Sequence, residues 1–160
     1  MNEDVKYISY EEAISVYAKM IDASDGGFDG VRDEGGIRAA LEFVQNDMYY
    51  PNFSDKLCSL VYKFCSGHYF NDGNKRIALT LGTYFLHKNS YFWQATIFIR
   101  QMESIVYHVA ASNIDKDLLL RIMTCFMNGE DYDEELKIDI ANAMSKGELG
   151  INGEDYKVKD

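Results

Sequence analysis

Apolar residues recur three and four apart in one segment of this chain after another, and alternation of apolar with polar residues is confined to a possible short strand at Tyr91–Trp93. That spacing puts one apolar stripe on each helix, and such stripes are buried by packing helix on helix. The expected fold is therefore all-α. Ser9-Tyr10-Glu11-Glu12 forms a capping box ahead of Ala13, Ile14, Val16, Tyr17 and Met20, a first helix that should end near Ser24–Gly27. Gly26 to Gly36 reads as an ordered loop in which Asp33 caps a second helix through Ile37, Leu41 and Val44. Pro51 interrupts, and Ser54 is positioned to cap a third helix carrying Leu57, Cys58, Leu60, Val61, Phe64 and Cys65. An apolar fourth helix is expected from about Lys75 to His87, followed by a break at Asn89 to Gln94. Thr96 then caps a fifth helix with Ile99, Met102, Val106 and Val109, and a sixth starts near Asp115 and carries Leu118, Leu119, Ile122 and Phe126.

At 160 residues and 47% hydrophobic, the chain can enclose one substantial core. Proline occurs once and glycine twelve times, so long disordered linkers are not expected. Glu3, Asp4, Lys6, Glu11, Glu12 and Lys19 break up the first twenty residues, which leaves no readable signal peptide. No apolar run reaches the roughly 18 residues of a membrane-spanning helix. Cys58, Cys65 and Cys125 fit a reducing compartment. The first two, seven apart on one helix, would lie roughly 10 Å from each other, too far for a disulfide. The expectation is a soluble, cytoplasmic protein with thiols in its core. His87 and His108, set among apolar residues, read as structural, while Trp93 and the tyrosines read as packing the core and its rim.

The formal net charge is −10, and residues 130–160 hold ten acids and four bases, so the acidity gathers in the tail. Asp133 to Met144 has the pattern of a short acidic helix, with little order expected beyond Gly147. A division into residues 1–129 as a domain and 130–160 as an acidic extension follows. Globally acidic chains bind nucleic acid poorly; a small anion needs a local positive site.

One segment offers such a site. Gly67-His68-Tyr69-Phe70-Asn71-Asp72-Gly73-Asn74-Lys75-Arg76 is a polar loop that feeds an apolar helix. A helix N-terminus presents unpaired N–H groups and the positive end of the helix dipole, which together attract anions. Gly73 permits close backbone approach, and Lys75 and Arg76 add charge. Asp72 would repel a phosphate unless it held Mg²⁺ bridging to it. His68 carries an imidazole, which suits a general base. Phe70 is placed to anchor the loop in the core. The same residues also make an ordinary Asn-Asp-Gly turn, in which Asp72 only caps the next helix and His68 is structural.

The segment resembles the Doc form of the Fic motif, His-x-Phe-x-Asp-Gly/Ala-Asn-Lys-Arg, at every specified position: His68, Phe70, Asp72, Gly73, Asn74, Lys75 and Arg76. Gly30 to Gly36 with Ala39-Ala40-Leu41 is similar to the family's upstream Gly-x-Arg-Asp-x-Gly segment, and Phe85 to Asn89 to the end of its central helix. The resemblance runs from about Ile8 to Met127. It implies a single-domain helical bundle with the active-site loop at the N-terminus of a buried central helix. It further implies that His68 is the base and Asp72 the Mg²⁺ ligand, with Gly73, Asn74, Lys75 and Arg76 around the phosphates of ATP. Tyr69 and Lys75 stand where the wider Fic pattern has proline and glycine, a variant associated with transfer of the terminal phosphoryl group by Doc-like toxins. The implied partners are a translation-factor hydroxyl as acceptor and an antitoxin-type inhibitor acting in trans. Transfer of AMP and a non-catalytic Fic-like binding module are the alternatives. Fic proteins that restrain themselves carry Ser/Thr-x-x-x-Glu, and no Ser or Thr here has Glu four residues later.

Overall fold

The computed structural model describes residues 4–23 and 30–149, with side chains to residue 146. It is all-α: seven helices are described, α1 (Tyr10–Ala23), α2 (Glu34–Phe43), α3 (Phe53–Ser66), α4 (Asn74–Lys88), α5 (Phe92–Ala110), α6 (Lys116–Asn128) and α7 (Glu134–Leu149). The chain beyond α7 and most of the expected Gly26–Gly36 loop's first half lie outside the described residues.

Helix α4 is the centre of the bundle. It packs on α3, α5 and α1, and Ile77, Ala78, Leu81 and Leu86 are wholly buried. Its exposed positions lie toward its two ends, at Lys75 and Arg76 and at His87. Its N-terminus opens on the motif loop. Its C-terminus is tied to α1, where the Glu12 carboxylate accepts from the Tyr84 hydroxyl at 2.5 Å and from Lys88 Nζ at 2.7 Å. Glu12 also completes the capping box, taking the Ser9 N–H at 2.9 Å while the Ser9 hydroxyl takes the Glu12 N–H at 3.1 Å. These donors hold the Glu12 carboxyl at about 2, below its ordinary 4.5, the Lys88 hydrogen bond contributing most and Tyr84 next.

Several expected boundaries shift. Helix α3 begins at Phe53 rather than after Ser54; Asn52 is its N-cap, and the Asn52 N–H is caught by the Asp55 carboxylate at 2.9 Å. The break after α4 is shorter than Asn89 to Gln94, because Tyr91 caps α5 and the helix starts at Phe92. Tyr91–Trp93 is thus the start of a helix and not a strand. Thr96 sits inside α5, its hydroxyl donating to the Phe92 carbonyl at 2.9 Å, a back-bond that replaces the expected capping role. Trp93 is 70% exposed, so it packs neither core nor rim. Helix α7 runs past Met144 to Leu149. It lies on α6 and α5, burying Leu136, Ile140 and Ala143, with Arg121 paired to Asp139 at 2.7 Å.

The thiols of Cys58 and Cys65 are buried and unbridged, and burial pushes them up to about 12 and about 11. His87 meets the Phe92 ring edge-on, and His108 Nδ1 lies 3.0 Å from the Asn113 amide nitrogen. A buried lysine was not anticipated. Lys56 is 2% exposed, and its ammonium donates to the Val44 carbonyl at 3.1 Å and the Asp47 carboxylate at 2.8 Å.

Candidate active site

Each residue of the loop from Tyr69 to Asp72 is held by at least one main-chain hydrogen bond. The Tyr69 carbonyl accepts the N–H groups of Arg32 and Asp33 at 2.8 and 3.0 Å. Phe70 forms an isolated bridge with Val31, and the Asn71 N–H donates to the Gly30 carbonyl at 3.0 Å. The segment before α2 therefore runs beside the motif loop as a short extended partner, a pairing that periodicity does not reveal. Gly30 has φ +127°, and a Cβ there would stand 2.8 Å from the Asn71 amide nitrogen; no other residue type fits that close approach without displacing Asn71. Asp33 then starts α2, its carboxylate accepting the Gly36 N–H at 2.8 Å.

Phe70 is fully buried. Its ring stacks on Tyr17 of α1, centroids 4.0 Å apart and 19° between planes. With that anchor in the core, His68 on one side and Asp72 on the other are both left exposed. His68 has φ +53°, a left-handed conformation that costs energy for most residues other than glycine and that histidine adopts more readily than most. The turn out of α3 thus swings His68 away from the helix axis and onto the surface.

Gly73, at φ +80°, is the N-cap of α4. The first bond of the helix is donated by the Ile77 N–H to the Gly73 carbonyl at 2.8 Å. The N–H groups of Asn74, Lys75 and Arg76 precede that bond and have no acceptor within the helix. Asp72 Oδ1 takes the Gly73 N–H at 2.8 Å. Asn74 divides its labour: its side chain accepts the Phe70 N–H at 3.1 Å and donates to the Phe70 carbonyl at 3.0 Å, while its backbone N–H bonds no described residue. Its side chain braces the loop; the part of Asn74 left for a phosphate is the main chain. Lys75 and Arg76 are exposed, and neither forms an ion pair with a described residue. The Lys75 charge reaches the buried Cys65 thiol, where it opposes the effect of burial. One guanidinium nitrogen of Arg76 lies 3.5 Å from where a Gly73 Cβ would be, so Arg76 folds back over the helix start.

The structure thus brings His68, Asp72, Gly73, Asn74, Lys75 and Arg76 to one open end of α4, with Phe70 beneath. N–H groups with no partner among the described residues, a helix dipole and two cations are the features from which an anion cradle can be built. One exposed carboxylate beside it fits the way Mg²⁺ is commonly held, by one or two carboxylates with phosphates and waters filling the rest. Hollows of about 610 and 360 Å³ lie elsewhere, along α6 and α7. Glu130, Asp131 and Asp133 face Arg121 in the larger, and Asp115, Asp117 and Asp139 outnumber Arg121 and Lys146 in the smaller. Neither suits an anion, and no motif residue lines them.

Residues 7–86 match the Fic/DOC family, a span covering α1 to α3, the whole motif and α4 as far as Leu86. The chain is 33% identical over 96 residues to the protein named Toxin Doc of Mycolicibacterium smegmatis, covering 58% of this chain and 74% of that one. It is 35% identical over 88 residues to the protein named Protein kinase doc of Escherichia phage P1, covering 53% of this chain and 69% of that one.

Proposed function

The chain belongs to the Fic/DOC family, and from that premise we propose that it is a Doc-like toxin transferring the terminal phosphoryl group of ATP to a hydroxyl on a protein. The acceptor is of the translation-factor type, and the antitoxin that restrains the toxin acts in trans. The observation that carries this reading is the junction of an exposed histidine, an exposed carboxylate and a cationic helix N-terminus within one braced loop.

In this reading the unpaired N–H groups of Asn74, Lys75 and Arg76 and the side chains of Lys75 and Arg76 hold the phosphates of ATP. Asp72 would hold Mg²⁺, which would supply shielding of the phosphate charge. His68 takes the proton from the acceptor hydroxyl as its oxygen bonds to the γ-phosphorus, and the bond from that phosphorus to the β-phosphate oxygen breaks, releasing ADP. Phe70 and the Asn74 side chain keep the loop fixed while this happens, so the cradle needs little reordering at the moment of reaction. The name of the phage relative, Protein kinase doc, supports the phosphoryl reading. Helix α7 rests on α5 and α6, with Asp139 paired to Arg121, and an inhibitor acting in trans is the restraint this reading assigns.

Mass spectrometry of an acceptor protein after incubation with the chain, ATP and Mg²⁺ tests this reading. A gain of roughly 80 Da on a serine or threonine supports phosphoryl transfer. A gain of roughly 329 Da would replace it with AMP transfer. No gain on any acceptor would remove the enzymatic reading.

A further inference from the structure

Helix α1 lies outside the motif, yet one of its faces meets Phe70, Asp72 and Gly73. Tyr17, Met20 and Ile21, spaced for one side of a helix, all turn to it. The Tyr17 ring, 4% exposed, stacks on Phe70. A Cβ on Gly73 would meet Met20 Cε at 3.1 Å and Ile21 Cδ1 at 3.7 Å. The Tyr17 hydroxyl donates to the Asp72 carbonyl at 3.0 Å, across 55 residues of sequence. One turn and a half earlier on the same helix, Glu12 grips Tyr84 and Lys88 at the far end of α4. Helix α1 therefore clasps α4 at both ends.

We propose that Tyr17 is the positioning residue for the Asp72 carboxylate. The neighbouring loop peptides are held by backbone groups of 30–33 and by the Asn74 side chain. The Asp72 carbonyl is held by the Tyr17 hydroxyl of a separate helix. Among the described residues its carboxylate accepts the N–H of the adjoining Gly73 through Oδ1, one bond to one of its two oxygens. Fixing the Asp72 peptide plane sets the direction of its side chain. With that plane free, the carboxylate would sample positions off the cradle and lose entropy on every binding event. Tyr17 touches no phosphate or acceptor itself; it acts through Asp72. The inference rests on the metal-binding role proposed for Asp72 above.

Tyr17→Phe keeps the stacked ring and removes only the hydroxyl. Calorimetric titration with a non-hydrolysable ATP analogue, at a series of Mg²⁺ concentrations, is run on the wild type, Tyr17→Phe, Asp72→Asn and the double variant. In Tyr17→Phe the Mg²⁺ concentration for half-maximal tightening of nucleotide binding rises about three- to ten-fold, the scale of one lost hydrogen bond. Binding without Mg²⁺ is unchanged. In the Asp72→Asn background, Tyr17→Phe adds nothing, because the carboxylate it positions is gone. If Asp72→Asn alters the Mg²⁺ dependence and Tyr17→Phe does not, the positioning role is overturned and the metal role of Asp72 stands. Additive effects of the two substitutions overturn it equally. If neither substitution alters the Mg²⁺ dependence, the metal role falls and the positioning role with it.

Discussion

Substituting Glu12 by Gln tests whether the clasp of α1 on α4 is electrostatic. The variant removes the charge and one acceptor: Oε2 takes Tyr84 and Lys88 while Oε1 takes the Ser9 N–H, so the single amide oxygen serves the first pair or the second site, not both. A carboxyl lowered from 4.5 to about 2 would correspond, at about 1.4 kcal/mol per pKa unit, to about 3 kcal/mol. The Glu12 and Lys88 side chains are 30% and 26% exposed, so solvent screening reduces this to about 1–2 kcal/mol. In a chain of this length that lowers the melting temperature by about 2–8 °C. The sign follows from linkage. A depressed carboxyl contributes its full stability above the unfolded value near 4.5, and that contribution is lost as pH falls through 2. The deficit of Glu12→Gln should therefore be largest at neutral pH and shrink by about half near pH 3. Thermal unfolding of both proteins at pH 7, 4.5 and 3 measures it. An equal deficit at all three values would refute the reasoning, since a lost packing contact does not titrate.

Three further substitutions probe other parts of the account. Phe70→Ala removes a fully buried ring from under the loop and should cost about 3–5 kcal/mol in urea unfolding; a cost under about 1 kcal/mol would mean the loop is not anchored there. Leu136→Ala, on the buried face of α7, should cost about 2–3 kcal/mol, whereas no loss would mean that α7 does not share the core. Lys75→Gly should weaken binding of an ATP analogue in a salt-dependent way and shift transferred label toward the α-phosphate; retained affinity with γ-label only would count against a role for Lys75 in orienting the nucleotide.

The motif loop and the helix it feeds were legible because their signals are local. Turn residues, a glycine and two cations announce a helix N-terminus within ten residues, and periodicity places α4 beneath it. The misreadings came from signals that were local but degenerate. Ser54 and Asn52 are both good caps two residues apart, and the choice fell to the residue whose N–H the Asp55 carboxylate could reach. Thr96 looks like a cap after an aromatic stretch, yet Phe92 and Trp93 enter the helix with large exposed surfaces that propensity does not foresee. What lay wholly out of reach depends on distant pairing. Tyr17 reads as one more apolar position of α1, and nothing in its spacing points to the Asp72 carbonyl. Gly30 and Asn71, or Lys56 and the Val44 carbonyl, likewise meet only once the helices are packed.

The central claim is that His68 drives transfer of the γ-phosphoryl group. Cytosolic protein is incubated with the chain, Mg²⁺ and ATP labelled at either the γ- or the α-phosphate, using the wild type and His68→Ala in parallel. The account predicts protein-bound γ-label with the wild type, none from α-label, and a loss of roughly 10²–10⁴-fold in His68→Ala, with affinity for an ATP analogue unchanged. Wild-type labelling by His68→Ala, or label arriving from the α-phosphate, would contradict it.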